Sequence, residues 1–320
     1  MEKDKVKIGI ICVCLNPPYW PFSAEMLWGL DTFFLKHKDI KDKYETEFML
    51  WSDLPEQPEE IQRKYAEYLL QTSKATSSII NENAIEILLD NDRRTETNNL
   101  IQGILNIRQR IKVFPTEPIE WPMPTLMRYH LFLQQEEYLQ KFDYIFYVDV
   151  DMRITDWIGE EILGNGLTAA QHPMYALRAN YHPPYEPNPE SKAFIPRPGR
   201  IIEENGKKRF EQLYYAGGFQ GGKTENFVKA MKVMRKNIDD DFGLNYIARW
   251  NDESHWNKYL FENPPSVVLN PSYIYPDSLV AEYYVKVWGR NYSPKIMTLT
   301  KSFATTTEGG QGIREMMGTM

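Results

Sequence analysis

An α/β fold built on a largely parallel sheet is predicted by three features of the chain. Its first fifty residues read strand, helix, strand. A later apolar run, FDYIFYV, follows directly on a helical pattern. Both strong strands end in turn-forming polar residues, Asn16-Pro17-Pro18 in one case and Asp149-Val150-Asp151 in the other. Strands that alternate with helices pair in parallel, and such sheets bind ligands beyond the carboxyl ends of their strands.

Lys7–Leu15 is an uninterrupted apolar stretch closed by Asn-Pro-Pro, the pattern of a buried strand. FSAEMLWGLDTFFL (22–35) carries Met26, Leu27, Leu30, Phe33 and Phe34 at helical spacing. ETEFMLW (45–51) is a second strand, ending at Ser52-Asp53. Residues 55–113 are polar, rich in Gln and Asn and largely helical in pattern. They read as an insertion of helices, with one strand at most, lying over the core. From Trp121 to Phe142 the apolar positions Leu126, Tyr129, Leu133, Leu139 and Phe142 fit a one-sided helix. The Asp143–Val148 strand and its carboxylates follow. Next come a Pro-rich segment (HPPYEPNPESKAFIPRPG), a glycine cluster (YYAGGFQGG), a helix over 225–237, and ARWNDESHWNKYLF, a turn into a helix. Residues 291–320 read as a polar, flexible C-terminal tail. One catalytic-sized domain spans 1–320.

The 320 residues carry a net charge of −7, which argues against nucleic acid or an anionic membrane as the main partner. Cys12 and Cys14, two apart on one strand, are poorly placed to bridge each other and read as small core residues of a reducing compartment. The N-terminal apolar run is short and lacks a small-residue cleavage pattern, and no stretch is long enough to span a bilayer. A soluble cytoplasmic protein is expected.

Residues two apart on extended backbone point the same way, so Asp149 and Asp151 can share one hard cation. A solvated strand end gives the same pattern. IEILLDNDRR supplies an internal control, since it places Asp90 and Asp92 after an equally apolar run. Asp-x-Asp alone therefore does not choose between cation ligand and strand end.

Three blocks in this order, FDYIFYVDVDM (142–152), YYAGGFQGG (214–222) and WNDESHWNKYL (250–260), resemble glycosyltransferase family 6, the family of the ABO blood-group transferases and the α1,3-galactosyltransferases. WPMPTLMRYHLFL, QHPMY and PYEPNPESKAFIP resemble shorter segments of the same family. The resemblance implies a GT-A fold, a Rossmann-like mixed sheet flanked by helices. It implies retaining transfer of galactose or N-acetylgalactosamine from a UDP-sugar to the 3-hydroxyl of a galactoside, forming an α1,3 linkage. Because both aspartates are kept, it also implies Mn²⁺, or Mg²⁺, held by Asp149 and Asp151.

The family's motifs carry over residue by residue. Glu253 resembles the essential glutamate, facing the anomeric carbon to stabilise or attack an oxocarbenium-like centre. Asp252 resembles the residue that bonds the transferred sugar. Tyr19 and Arg128 resemble donor contacts, and Ala216-Gly217-Gly218 resembles the triplet that sizes the donor pocket. Glycine at 218 leaves room for a 2-acetamido group, which implies UDP-GalNAc over UDP-galactose. His172, Trp250, Asp277 and Glu253 resemble acceptor positions, with a glycan as acceptor. Lys295 and Lys301 match in spacing two basic residues of a tail that meets the diphosphate. Asn251 stands where the family has histidine, and PPYEPNP lacks the threonine and two arginines of its counterpart. A catalytically weak carbohydrate-binding protein and a different UDP-sugar transferase of the same fold are the competing readings.

Overall fold

The computed structural model describes residues 5–61, 63, 64, 67, 91–176, 183–196, 200–204, 207–211, 213–277 and 292–299. In chain order the elements are β1 (Val6–Cys14), α1 (Trp20–Phe33), β2 (Tyr44–Ser52), α2 (Asn91–Arg108), β3 (Lys112–Pro115), α3 (Met123–Leu133), α4 (Glu136–Leu139), β4 (Tyr144–Val148), β5 (Met152–Ile154) and β6 (Leu167–Gln171). They continue with β7 (Arg200–Glu204), β8 (Lys207–Glu211), β9 (Tyr215–Lys223), α5 (Thr224–Gly243), α6 (Asn251–Glu262), β10 (Val267–Leu269) and β11 (Ile296–Thr298).

Seven strands form the main sheet in the order β10-β6-β9-β4-β1-β2-β3. All neighbours are parallel except β9, which runs antiparallel to both β4 and β6. The predicted parallel α/β sheet is present, as a mixed sheet with helices on both faces. Its central strands are apolar on both sides because each face carries its own core. Ile8, Ile10, Cys12, Phe48, Leu50, Phe146 and Val148 belong to one cluster, with Trp20, Met26 and Leu30 of α1. The alternate residues Ile11, Met49, Trp51, Ile145 and Tyr147 belong to the other, with Phe132 of α3, Met231 of α5 and Trp256 of α6. The period of two in the strands thus sorts side chains between two helical layers. Cys12 and Cys14 are free and buried in the first.

Part of the stretch read as an insertion belongs to the domain's own layers. Ile101, Ile104 and Ile107 of α2 enter the same cluster as α1, and β3 extends the sheet beside β2. The Trp121–Phe142 pattern resolves into α3 and the short α4, which meet at Gln134-Gln135. The glycine cluster is a strand, β9, with Gly221 pressed so close to β4 that a Cβ there would lie 2.4 Å from the Ile145 carbonyl oxygen. Within the tail, β11 pairs antiparallel with β5. No described helix is long and apolar enough to cross a membrane.

Candidate active site

The strand order reverses between β1 and β4, and a cleft opens at their carboxyl ends. It has a volume of about 180 Å³ and is lined by Leu15, Asn16 and Tyr19 after β1, Asp149, Val150 and Asp151 after β4, and Arg128 from α3. Trp121, 57% exposed, forms its rim. The loop after β1 turns sharply at Asn16, whose φ of 75° is in the left-handed region. Asp53 holds that turn, accepting hydrogen bonds from the Asn16 N–H (3.0 Å) and from Trp20 Nε1 (2.9 Å).

Asp149 leaves β4 with its N–H donated to the Gly218 carbonyl of β9 at 3.0 Å. One of its oxygens accepts a short hydrogen bond from the Tyr147 hydroxyl, and Arg128 Nη1 lies 3.5 Å from the same oxygen. The Arg128 guanidinium stacks on the Tyr147 ring, 4.4 Å from its centroid. Its Nη1 also lies 3.2 Å from Asp252 Oδ2. Arg128 and Asp252 are 5% and 4% exposed. Burial raises the Asp252 carboxyl to about 6, and Arg128 pulls it the other way. Arg128 Nε and Nη1 are buried without a partner in hydrogen-bond geometry among the described residues.

Asp252 and Glu253 both lie in the first turn of α6 but serve different neighbours. The Gly217 N–H donates to Glu253 Oε2 at 2.7 Å. Asn257, one turn on, clamps α6 to β9: its Oδ1 accepts from the Tyr215 N–H and its Nδ2 donates to the Tyr215 carbonyl, both at 2.8 Å. Burial raises the Glu253 carboxyl to about 7, against the Tyr214 hydroxyl and the Gly217 N–H, which lower it. A carboxylate poised this way suits work at a centre where positive charge develops.

Most of the residues predicted to serve the site fall into three groups. Asp149, Asp151, Tyr19 and Arg128 border one cleft. Glu253, Asp252, Ala216, Gly217 and Gly218 meet where α6 crosses β9, and a Cβ on Gly218 would lie 2.7 Å from Asp149 Oδ2. His172 and Trp250 border an aromatic cluster of Tyr175, Tyr185 and Tyr214. Burial lowers the His172 imidazole to about 4, so it is neutral. Asp277 follows Tyr275, whose backbone pairs with β11. Lys295 is turned into an ion pair with Glu161 at 2.6 Å; Lys301, like Asp90, lies outside the described residues. Tyr147 and Gln220 were not anticipated, although Tyr147 sits two residues before Asp149, on the same side of the strand.

Asp149 and Asp151 supply carboxylate oxygen only, and among the described residues no group of three or more His, Cys, Asp or Glu gathers around a common point. Two carboxylates at the mouth of a cleft suit Mg²⁺ or Mn²⁺, which complete their shells with water and substrate phosphate.

A family model described as glycosyltransferase family 6 matches residues 103–295. The rat histo-blood group ABO system transferase 1 is 34% identical over 146 residues, 46% of this chain and 38% of the rat protein. The human globoside alpha-1,3-N-acetylgalactosaminyltransferase 1 is 33% identical over 135 residues, 42% of this chain and 35% of the human protein. The Escherichia coli O-antigen biosynthesis glycosyltransferase WbnI is 28% identical over 192 residues, 60% of this chain and 73% of the bacterial protein. The chain thus spans less than half the length of the vertebrate relatives it matches. The family match runs from α2 through the Asp149–Asp151 turn, the glycine strand and the Asp252–Glu253 helix to the start of β11, and on that extent the chain belongs to glycosyltransferase family 6.

Proposed function

We propose that the protein is a retaining hexosyltransferase that moves GalNAc, or galactose, from UDP to the 3-hydroxyl of a galactoside, forming an α1,3 bond. The observation that carries this reading is the Glu253 carboxylate, fixed by the Gly217 N–H on the strand that also holds Asp149. A nucleotide sugar whose uracil lies near Tyr19 and whose diphosphate lies near Asp149 and Asp151 would extend its sugar toward Gly217, Gly218 and Asp252. There Glu253 stabilises positive charge on the anomeric carbon as the bond to UDP breaks. Arg128, ion-paired with Asp149 and Asp252 beside the cleft, brings positive charge to the donor side, and Asp252 is placed to accept from sugar hydroxyls.

Mn²⁺ or Mg²⁺ held by Asp149 and Asp151 would neutralise charge on the departing diphosphate. The acceptor would enter from the aromatic side. Trp250 Nε1 is buried there without a hydrogen-bond partner among the described residues, and an aromatic face beside an unpaired polar group suits a sugar ring. Gly218 favours the larger N-acetylated donor. A cytoplasmic location and a glycan acceptor complete the reading.

The test is UDP release from UDP-GalNAc, UDP-Gal, UDP-GlcNAc and UDP-Glc, each with Mn²⁺ and with EDTA. Mn²⁺-dependent release that favours UDP-GalNAc is expected. Release that persists in EDTA removes the metal role of Asp149 and Asp151. Tight UDP binding without release from any donor, even with galactoside acceptors, favours the carbohydrate-binding alternative.

A further inference from the structure

Gln220 is a polar residue at the centre of an apolar sheet. It is fully buried in β9, opposite Tyr147 of β4. A buried amide costs stability unless its groups are paired, and here they are paired toward the site. Gln220 Oε1 accepts from the Tyr129 hydroxyl at 2.8 Å. Its Nε2 donates to the Gly217 carbonyl at 2.9 Å and reaches Asp252 Oδ2 at 3.4 Å.

The Gly217 residue is thereby held at both ends, its N–H by Glu253 and its carbonyl by Gln220. Asp252 is held by Arg128 and by the same amide. A hydrophobic residue of similar size would fill the space but leave Gly217, which has no side chain of its own to anchor it, free to shift. We propose that Gln220, oriented by Tyr129, is a positioning residue for transfer: one amide sets the Gly217 backbone that carries Glu253 and fixes the direction of Asp252. Its role in transfer rests on the function proposed above, whereas the positioning is a property of the folded chain alone.

The two parts are tested separately on the full chain. Gln220→Met keeps the volume and removes the amide; Tyr129→Phe removes only the hydroxyl that orients it. The first readout is the Gly217 amide signal in glycine-selective ¹⁵N spectra, assigned by its loss in Gly217→Ala. In Gln220→Met it is expected to move and to exchange faster with solvent, with a smaller change in Tyr129→Phe. A Gly217 signal unchanged in both variants overturns the positioning, whatever the protein's activity. The second readout is kcat for UDP release against the dissociation constant for UDP. Because a misplaced group near the reacting centre costs rate rather than nucleotide binding, Gln220→Met is expected to lose at least about tenfold in kcat with UDP affinity within about twofold. A folded Gln220→Met with unchanged kcat, or one that loses UDP affinity as much as kcat, overturns the role in transfer. A parent chain that releases UDP from no donor removes that role together with the proposed function, and the Gly217 signal still decides the positioning.

Discussion

Glu253 and Asp252 are neighbours in sequence, yet one bonds the backbone of β9 and the other faces a guanidinium. That divergence follows from their place in the first turn of α6 and was legible only as an adjacent acidic pair. What the sequence could not convey is the price of seating it. The Glu253 carboxyl is near 4.5 in the unfolded chain and is raised to about 7 in the folded one, chiefly by burial. Between those values the native state holds a proton that the unfolded chain releases, so the stability it contributes is present below about pH 4.5 and is lost as pH rises through about 7. Glu253→Gln has no such charge to bury. Urea denaturation is expected to find it more stable than the parent at pH 8, by about 2 kcal/mol because the side chain keeps some solvent contact, with the gap closing toward pH 5. The same variant is expected to lose about 10²- to 10³-fold in kcat for UDP release, since the stabilising charge is gone. A variant less stable than the parent at pH 8 would contradict the burial argument, and one with full kcat would contradict the role. Tyr147 and Gln220 escaped notice for a related reason: a polar residue inside an apolar strand has no pattern that marks its partners on other elements.

At the scale of elements, the strands with continuous apolar runs, β1, β2 and β4, and the helices α1, α5 and α6 were readable from periodicity. β9 was not, because glycine is a poor strand former and its role there is to let backbones approach. A Cβ on Gly221 would come within 2.4 Å of the Ile145 carbonyl and 2.6 Å of the Phe146 ring, neither of which is a flexible side-chain end. Gly221→Ala is therefore expected to destabilise the protein by about 1–3 kcal/mol in urea unfolding. Gly218 makes a different prediction. Its Cβ would meet the end of the Met152 side chain and Asp149 Oδ2, so the added atom crowds the proposed donor side of β9 rather than a strand pairing. Gly218→Ser is expected to keep more stability than Gly221→Ala and to lower the ratio of GalNAc to Gal transfer. An unchanged ratio would remove the pocket-size argument for GalNAc. β7 and β8, which pair antiparallel, carry little strand signal, because Arg, Lys and Glu outnumber the strand-forming residues in both. α2 lies in the stretch that reads as largely helical, but its polar composition conceals the row of Ile101, Ile104 and Ile107 that docks it.

At the scale of the whole molecule, the cleft and the core meet in β1. The strand buries Cys12 and Cys14 at its carboxyl end, and the loop that follows it lines the cleft with Leu15, Asn16 and Tyr19. Burial pushes both thiols well above their ordinary range, so neither reacts until β1 is exposed. β1 has strands on both sides and helices over both faces. Its exposure therefore requires the sheet to come apart, and thiol labelling becomes a measure of global opening. A ligand that binds only the folded cleft must slow that opening. UDP with Mn²⁺ at about one hundred times its dissociation constant adds about 2.7 kcal/mol, which corresponds to roughly hundredfold slower labelling where reclosing outpaces the reagent. Mn²⁺ without UDP is expected to do far less, because two carboxylates hold a hard cation weakly until the diphosphate completes its shell. Fast labelling of the folded chain would mean that β1 opens locally, and labelling indifferent to UDP and Mn²⁺ would place nucleotide binding away from the β1–β4 crevice. Slow labelling that UDP and Mn²⁺ slow together would tie the nucleotide to the same strand ends that the two aspartates occupy.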